Sequence, residues 1–492
     1  MRRALILCLL HRAAAQQQLS INFGGPPASP AFQGVSAVRH GFDYMQEETS
    51  RGLSPALRNL SHARLAASRL THARTWYASE WAMPLGWGTP LNFTAPRFEQ
   101  FAAWVADMQR AGVRVVMNAG WWFPQCTCGA GAPANCTPSP ASIDVFTAWV
   151  SASVRELVVA RGLTNLDTLL LFTEPFPTPA GLLPPGVTQE QLYATVVRAL
   201  HARMVAEGTR GLVKFHGPND GGLSSPVAMA ALQWAALELR DVLDVFSSHD
   251  YNLAGYAAWL DLFTRAVAAT APTGKPFWVD EGGHSNEAVR NSSSYGTYVA
   301  AWQAAAMNAG AANTFLWLLQ DQVYAWPLEN TTNNDSFDHG LHRWGLSFWL
   351  PDQVEPRPAW YAHDLLTRFL RPPQGAAGVQ SFRMGGAVPG AGVVGAAVAG
   401  SAAGGGRPDY TAVLLVNEGA APVRVEVAMA GAGAGRAPLQ RYLYDPAAPP
   451  HGGAGVAPSG SRPFDGAPLV DTLPPGGVVV WASAWETTGA AA

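Results

Sequence analysis

Short apolar runs of five to eight residues recur from about residue 30 to 372, and between them apolar positions return at three- and four-residue spacing. The runs are FQGVSAV (32 to 38), ARTWY (73 to 77), VRVVMN (113 to 118), TLLLF (168 to 172), LVKFH (212 to 216), VLDVFSSH (242 to 249), PFWVD (276 to 280) and NTFLWLL (313 to 319). Runs of this length read as buried strands, and the longer periodic segments between them read as helices. ASIDVFTAWVSASVRELVVARG and TQEQLYATVVRALHARMVAEG are two such segments, each stopping at a glycine, the residue that most easily takes the left-handed turn after a helix. Alternation of this kind predicts βα units with a parallel sheet, and eight of them close a barrel. The expected fold class is therefore α/β, a (β/α)8 TIM barrel over residues 16 to 375. From about residue 376 the chain turns to Gly, Ala and Val with short alternating runs, YTAVLLVNEG, VRVEVAMA and VVVWASAWE, which predict a small antiparallel β-sandwich over 376 to 492. An early strand over residues 18 to 24 is available to pair with it. GAAVAGSAAGGGRPD reads as a flexible spacer inside or before this module. The long link before Pro358, YAWPLENTTNNDSFDHGLHRWGLSFWLPD, reads as a wall of the cleft.

Composition narrows the function classes. At 492 residues the chain exceeds one ordinary domain, and 48% hydrophobic residues are ample for a core. A net charge of -3, from 32 basic and 35 acidic residues, offers no electrostatic case for nucleic acid or an anionic membrane. The partner expected is a neutral small molecule or polymer; oligomeric state is not readable. No run after the first residues is long and apolar enough to span a membrane. MRRALILCLLHRAAAQQQ places Arg2 and Arg3 before a short apolar stretch and Ala13 to Ala15, the pattern of a signal peptide covering residues 1 to 15, with a misannotated start as the alternative. Sequons at Asn59, Asn92, Asn135, Asn291, Asn330 and Asn334 suit a secreted glycoprotein. Without Cys8, three cysteines remain, Cys126, Cys128 and Cys136, so one disulfide closing QCTCGAGAPANC with one thiol left over is expected.

Two of the strands deliver a carboxylate at their C-terminal tips, Glu174 after LLLFT and Glu281 after FWVD. A single strand-end glutamate is ordinarily a salt-bridge partner or a cap. Two at corresponding tips of one barrel would meet at the rim where barrel enzymes place their chemistry, and a facing pair is what glycosidic cleavage requires. Their proximity is expected to raise the pKa of Glu174 and leave it protonated for the first step.

On these residues the chain resembles the clan A glycoside hydrolases, particularly families 5 and 39, whose acid/base ends barrel strand four and whose nucleophile ends strand seven. The resemblance implies a retaining β-glycoside hydrolase, with Glu174 of FTEP as acid/base and Glu281 of FWVDEGG as nucleophile. It further implies Arg74 of ARTW beside the nucleophile, His249 and Tyr251 of SSHDYN as the His-x-Tyr pair whose phenol bonds the nucleophile, and Trp317 as the floor of the sugar subsite. Thr173 stands where the clan usually has the asparagine that contacts the sugar, and Asn118 where family 5 often has histidine. Trp76, Trp121 and His216 join these as substrate-binding candidates, with Trp81, Trp122, Trp326 and Asn219 as further lining, since sugars stack on indoles and seek amides and imidazoles. His216 and His249 have no third ligand at a recognisable spacing, so no metal and no cofactor is expected. Two rival readings stay open: a carbohydrate-binding protein on a disabled barrel, for which Thr173 argues, and a metal-dependent barrel hydrolase, which chelators would inactivate.

Overall fold

The computed structural model describes residues 16–39, 55–120, 127–128, 136–176, 180–251, 255–320, 322–323, 341–342, 345–346, 355–371, 376–387, 392–402, 410–431, 436–453 and 455–483. Eight strands close a barrel: Gly34–Val38, His72–Trp76, Arg114–Asn118, Leu166–Leu170, Lys214–Asp220, Val245–Tyr251, Phe277–Gly283 and Asn313–Leu316, strands one to eight in chain order. Every neighbouring pair is parallel, and strand eight closes the ring on strand one. Val38, Trp76, Val116, Leu170, Val245, Trp278, Phe315 and Trp317 form an apolar cluster of their own, apart from the larger core between strands and helices. Trp278 and Phe315 pack with centroids 5.6 Å apart, so the tube is plugged and chemistry is confined to its open end.

Helices surround the ring, and their starts are set locally. Helix Pro140–Val154 begins at Ser139, whose hydroxyl accepts from the Ser142 N–H, with proline at the first helical position. Helix Gln189–Ala206 begins at Thr188, reciprocally capped with Gln191. Each arrangement satisfies backbone N–H groups that the helix leaves without a partner. Both helical segments run out at left-handed glycines, Gly162 at φ 68° and Gly208 at φ 70°. No helix among the described residues is long and apolar enough to cross a membrane.

Strands five, six and seven extend past their apolar runs to Asp220, Tyr251 and Gly283. The polar ends HGPND, SSHDY and DEGG stay in the sheet, and within them Asn219 bonds His249 and Asp280, and Tyr251 bonds Glu281, inside the barrel mouth. Two β-bulges result. Between strands five and six the pairing steps from Pro218 with Ser247 to Asp220 with Ser248, leaving Asn219 as the extra residue. Between strands six and seven it steps from Ser248 with Val279 to His249 with Glu281, leaving Asp280 as the extra residue. A bulge re-aims a side chain that regular alternation would send to the other face.

Behind the barrel lies a curled sheet. Its order runs from Pro458–Phe464 through Arg436–Tyr444, Val478–Ser483, Tyr410–Asn417, Val393–Ala402 and Ala376–Gly385 to Gln16–Asn22, Val423–Ala430 and Leu469–Leu473. It folds over a second apolar core that includes Leu19, Ile21, Val413, Leu415, Val425, Val427 and Val479, and the fold is a TIM barrel with a C-terminal β-sandwich. Gln16–Asn22 lies parallel to Val423–Ala430, so the start of the described chain belongs to this sheet. Asn308, in the barrel helix Ser294–Ala309, donates to the Gly395 carbonyl and accepts from the Met384 N–H at 3.1 Å, joining the two units. One disulfide joins Cys128 to Cys136; Cys126, residues 1–15 and the sequons at Asn135, Asn330 and Asn334 lie outside the described residues, as does most of the link before Pro358.

Candidate active site

Glu281 sits in strand seven, 6% exposed, with both oxygens engaged. Arg74 Nη1 donates to Oε2 at 2.9 Å, and the Tyr251 hydroxyl donates to Oε1. Arg74 is fully buried on strand two; its Nη1 also donates to the Asp280 carbonyl at 3.1 Å and its Nη2 to Thr173 Oγ1 at 2.8 Å. Asn118 Nδ2 also donates to Thr173 Oγ1, so threonine in the asparagine position is held within the network, 8% exposed.

Glu174 leaves the end of strand four in a left-handed conformation, φ 48°, which a non-glycine residue adopts only under constraint. The constraint comes from strand five. The Glu174 N–H donates to the Asn219 carbonyl at 3.0 Å, and the Asp220 carboxylate accepts from the Phe176 N–H at 3.3 Å. Gly221 leaves the space the carboxylate needs, since a Cβ there would lie 2.7 Å from Glu174 Oε1. The Glu174 side chain is 51% exposed at the mouth, and its Oε1 accepts from His249 Nδ1 at 2.9 Å. His249, on strand six between the two acids, also has Nε2 3.4 Å from Glu281 Oε2. One ligand atom from each of Glu174, His249 and Glu281 lies within 4.8 Å of the others.

Beneath this layer sits the bulged Asp280, fully buried. Its Oδ2 accepts from Asn219 Nδ2 and lies 3.1 Å from His216 Nε2. His216 and Asn219, expected to line the pocket, are instead both fully buried: Asn219, the extra residue of its bulge, is aimed at Asp280, and His216, in regular register on strand five, lies against the same carboxylate. Arg74, Asn118 and His249 are likewise buried. Trp76 and Trp317 meet edge to face, centroids 5.5 Å apart, with Trp317 8% exposed. The Trp317 carbonyl accepts from Arg290 Nη1 at 2.7 Å, a support with no signal in the strand pattern. Trp81 is buried against Tyr77 and Phe101, in the core. Trp121, Trp122 and Trp326 lie outside the described residues.

The electrostatics correct one expectation. Burial pushes the Glu174 carboxyl up, but the His249 hydrogen bond, the His249 charge and Arg74 outweigh it, so its pKa falls below the ordinary value instead of rising. For Glu281, burial is the larger influence and leaves the carboxyl above its ordinary value despite His249 and Arg74. Burial lowers His249, but Glu281 and the bond to Glu174 raise it further, for a net increase. Asp280 is held well below the carboxylate range, since His216, His249 and Arg74 overcome its burial. Glu174, His249 and Glu281 are the described residues that could together hold a cation, the glutamates being the ligands no spacing revealed; Arg74 already brings a positive charge to Glu281.

Most of the chain superimposes on solved glycoside hydrolases. A family 30 endoxylanase from Clostridium papyrosolvens C71 matches with a TM-score of 0.63 at 13% identity, over 95% of this chain and 100% of that one. AbfB, a family 51 α-L-arabinofuranosidase from Bifidobacterium longum, matches at 0.59 and 12%, over 95% and 99%. A family 39 glycoside hydrolase from Bacteroides cellulosilyticus WH2 matches at 0.55 and 13%, over 92% and 81%. The chain has the fold of the clan A glycoside hydrolases. No protein-family model matches it, and no curated protein is similar to it in sequence. With that fold in place, strand four and strand seven are the two that bring Glu174 and Glu281 to one mouth.

Proposed function

We infer that the protein is a secreted retaining β-glycoside hydrolase acting on an oligo- or polysaccharide. The observation that carries this reading is that the two glutamates face each other closely, one oxygen of Glu174 lying within 4.8 Å of one oxygen of Glu281. Retention works with carboxyls about 5 to 5.5 Å apart, whereas inversion leaves room for a water at about 6.5 to 9.5 Å. The carbohydrate-acting enzymes with the same fold support the class of substrate.

Glu281 attacks the anomeric carbon while Glu174 gives its proton to the departing oxygen, and a glycosyl ester on Glu281 results. Glu174, now a carboxylate stabilised by His249 Nδ1–H, takes a proton from water as that water attacks the same carbon and Glu281 leaves. Arg74 and Tyr251 hold the Glu281 oxygens and stabilise the carboxylate as it is released. The apolar faces of Trp317 and Trp76 supply a surface for the ring of the sugar.

The test is Glu281→Ala, assayed on a panel of aryl glycosides and plant or algal polysaccharides. Turnover is expected to vanish, and added azide to restore part of it as the inverted glycosyl azide. A fully active Glu281→Ala enzyme would overturn the reading.

A further inference from the structure

The proton that Glu174 must donate has two competing homes. Glu281 is one, its carboxyl raised by burial, but Arg74 and Tyr251 donate to both its oxygens; His249 is the other. The imidazole is enclosed by three carboxylates: Glu174 from the tip of strand four, and Asp280 and Glu281 from strand seven, 3.9 and 3.4 Å from Nε2. Arg74 of strand two faces it at 3.4 Å, and His216 of strand five, its pKa lowered by burial, lies against Asp280. This surround favours a doubly protonated imidazole, which would leave Glu174 a carboxylate and unable to act as an acid.

One feature opposes it. Asn219 Nδ2 lies 2.8 Å from His249 Nε2 and also donates to Asp280 Oδ2. The orientation of that amide is decided by Asp280: turned over, it would set an amide oxygen against a buried carboxylate. The nitrogen therefore faces Nε2, which must accept, and the single imidazole proton sits on Nδ1, pointing at Glu174. Asn219 and Asp280 are the extra residues of the two bulges that flank strand six, and Asn219 is left-handed at φ 62°. Without the bulges neither side chain would lie under the histidine.

Building on the reading of Glu174 as acid/base, we propose that Asn219 and Asp280 form a positioning pair that keeps His249 Nε2 unprotonated and so directs the catalytic proton to Glu174. Neither residue touches substrate; they act through His249.

Two measurements test this. The first is the ¹⁵N spectrum of histidine-labelled wild-type protein at pH 7, with His249 assigned by the signal lost in His249→Gln. The neutral Nδ1–H tautomer is expected; an Nε2–H tautomer or an imidazolium overturns the proposal, and this readout does not depend on activity. The second compares leaving groups in Asn219→Gly, which keeps the left-handed backbone and removes the amide, and in the swap Asn219→Asp with Asp280→Asn, which restores a carboxylate–amide pair but turns a carboxylate toward Nε2. For alkyl glycosides, which need the acid, kcat/KM is expected to fall roughly 10²-fold in both, within the range of general acid catalysis. For 2,4-dinitrophenyl glycosides, which leave unaided, the loss is expected to be only a few-fold. Equal losses on both leaving groups, or wild-type behaviour in the swap, would overturn it. Loss of the proton-directing role leaves the Glu281→Ala and azide result intact, whereas an active Glu281→Ala enzyme removes the functional reading itself.

Discussion

His249 donates to Glu174 at 2.9 Å, and that bond is a main reason the acid's pKa is low. Its removal has a direction that can be worked out. With His249 gone, only Arg74 is left to oppose burial at Glu174 and its pKa rises, and Glu281 loses a lowering influence as well, so the alkaline limb of kcat/KM moves to higher pH in His249→Ala while kcat falls. A limb that stays in place would contradict the electrostatic account. In the wild type the acid form of Glu174 is the scarce one near neutrality, so the pH profile is expected to be a bell centred on the acidic side, its acid limb following the lowered pKa of Glu174 and its alkaline limb the raised pKa of Glu281. Since the three groups interact strongly, those limbs belong to the cluster and not to single residues. At this scale the residue types at the strand tips were readable: Glu174, Glu281, Arg74, Thr173 and Tyr251 meet as neighbours in one network. The sign of the Glu174 shift was not readable, because it depends on an imidazole 75 positions away in the chain.

Strand ends are where the pattern of apolar residues stops being informative. The apolar runs break off inside HGPND, SSHDY and DEGG, yet all three are strand to their last residues, with Asn219, His249 and Asp280 bonded inward. A bulge adds one residue without changing composition, so the burial of Asn219 and Asp280 has no periodic signature. Strand five also shapes the acid: Asn219 takes the Glu174 N–H, Asp220 takes the Phe176 N–H, and Gly221 stands clear of the carboxylate. Gly221→Ala tests that element. Its φ is not in the left-handed range, so the backbone accepts alanine, but the new Cβ would sit 2.7 Å from Glu174 Oε1 and displace it. A misplacement on that scale is expected to lower kcat about 10²-fold with little change in the melting temperature. Unchanged kcat would show that the glycine is not needed to seat the acid.

Across the molecule, eight apolar runs and a change of composition near residue 376 were enough to read a barrel and a sandwich. The cost of building a polar mouth inside this fold appears in its buried acids. Asp250, on the opposite face of strand six from the catalytic cluster, is 1% exposed and is pushed by burial to a pKa of about 7. A carboxyl whose folded pKa exceeds its unfolded one binds more protons when folded, so its contribution to stability is lost as pH rises from about 4 through about 7. Asp280, shifted down, acts oppositely, its contribution present above the unfolded pKa and lost in strong acid. Asp250→Asn removes the first penalty, and its melting temperature is expected to exceed the wild type's by more at pH 8 than at pH 5; an equal difference at both would argue against a buried, ionising Asp250. The central claim, that Glu174 and Glu281 cleave by double displacement, is met most directly by the stereochemistry of the product. Proton NMR recorded during the first minutes of hydrolysis of an aryl β-glycoside is predicted to show the β-anomer before mutarotation supplies the α-anomer, and an α-anomer formed first would contradict it.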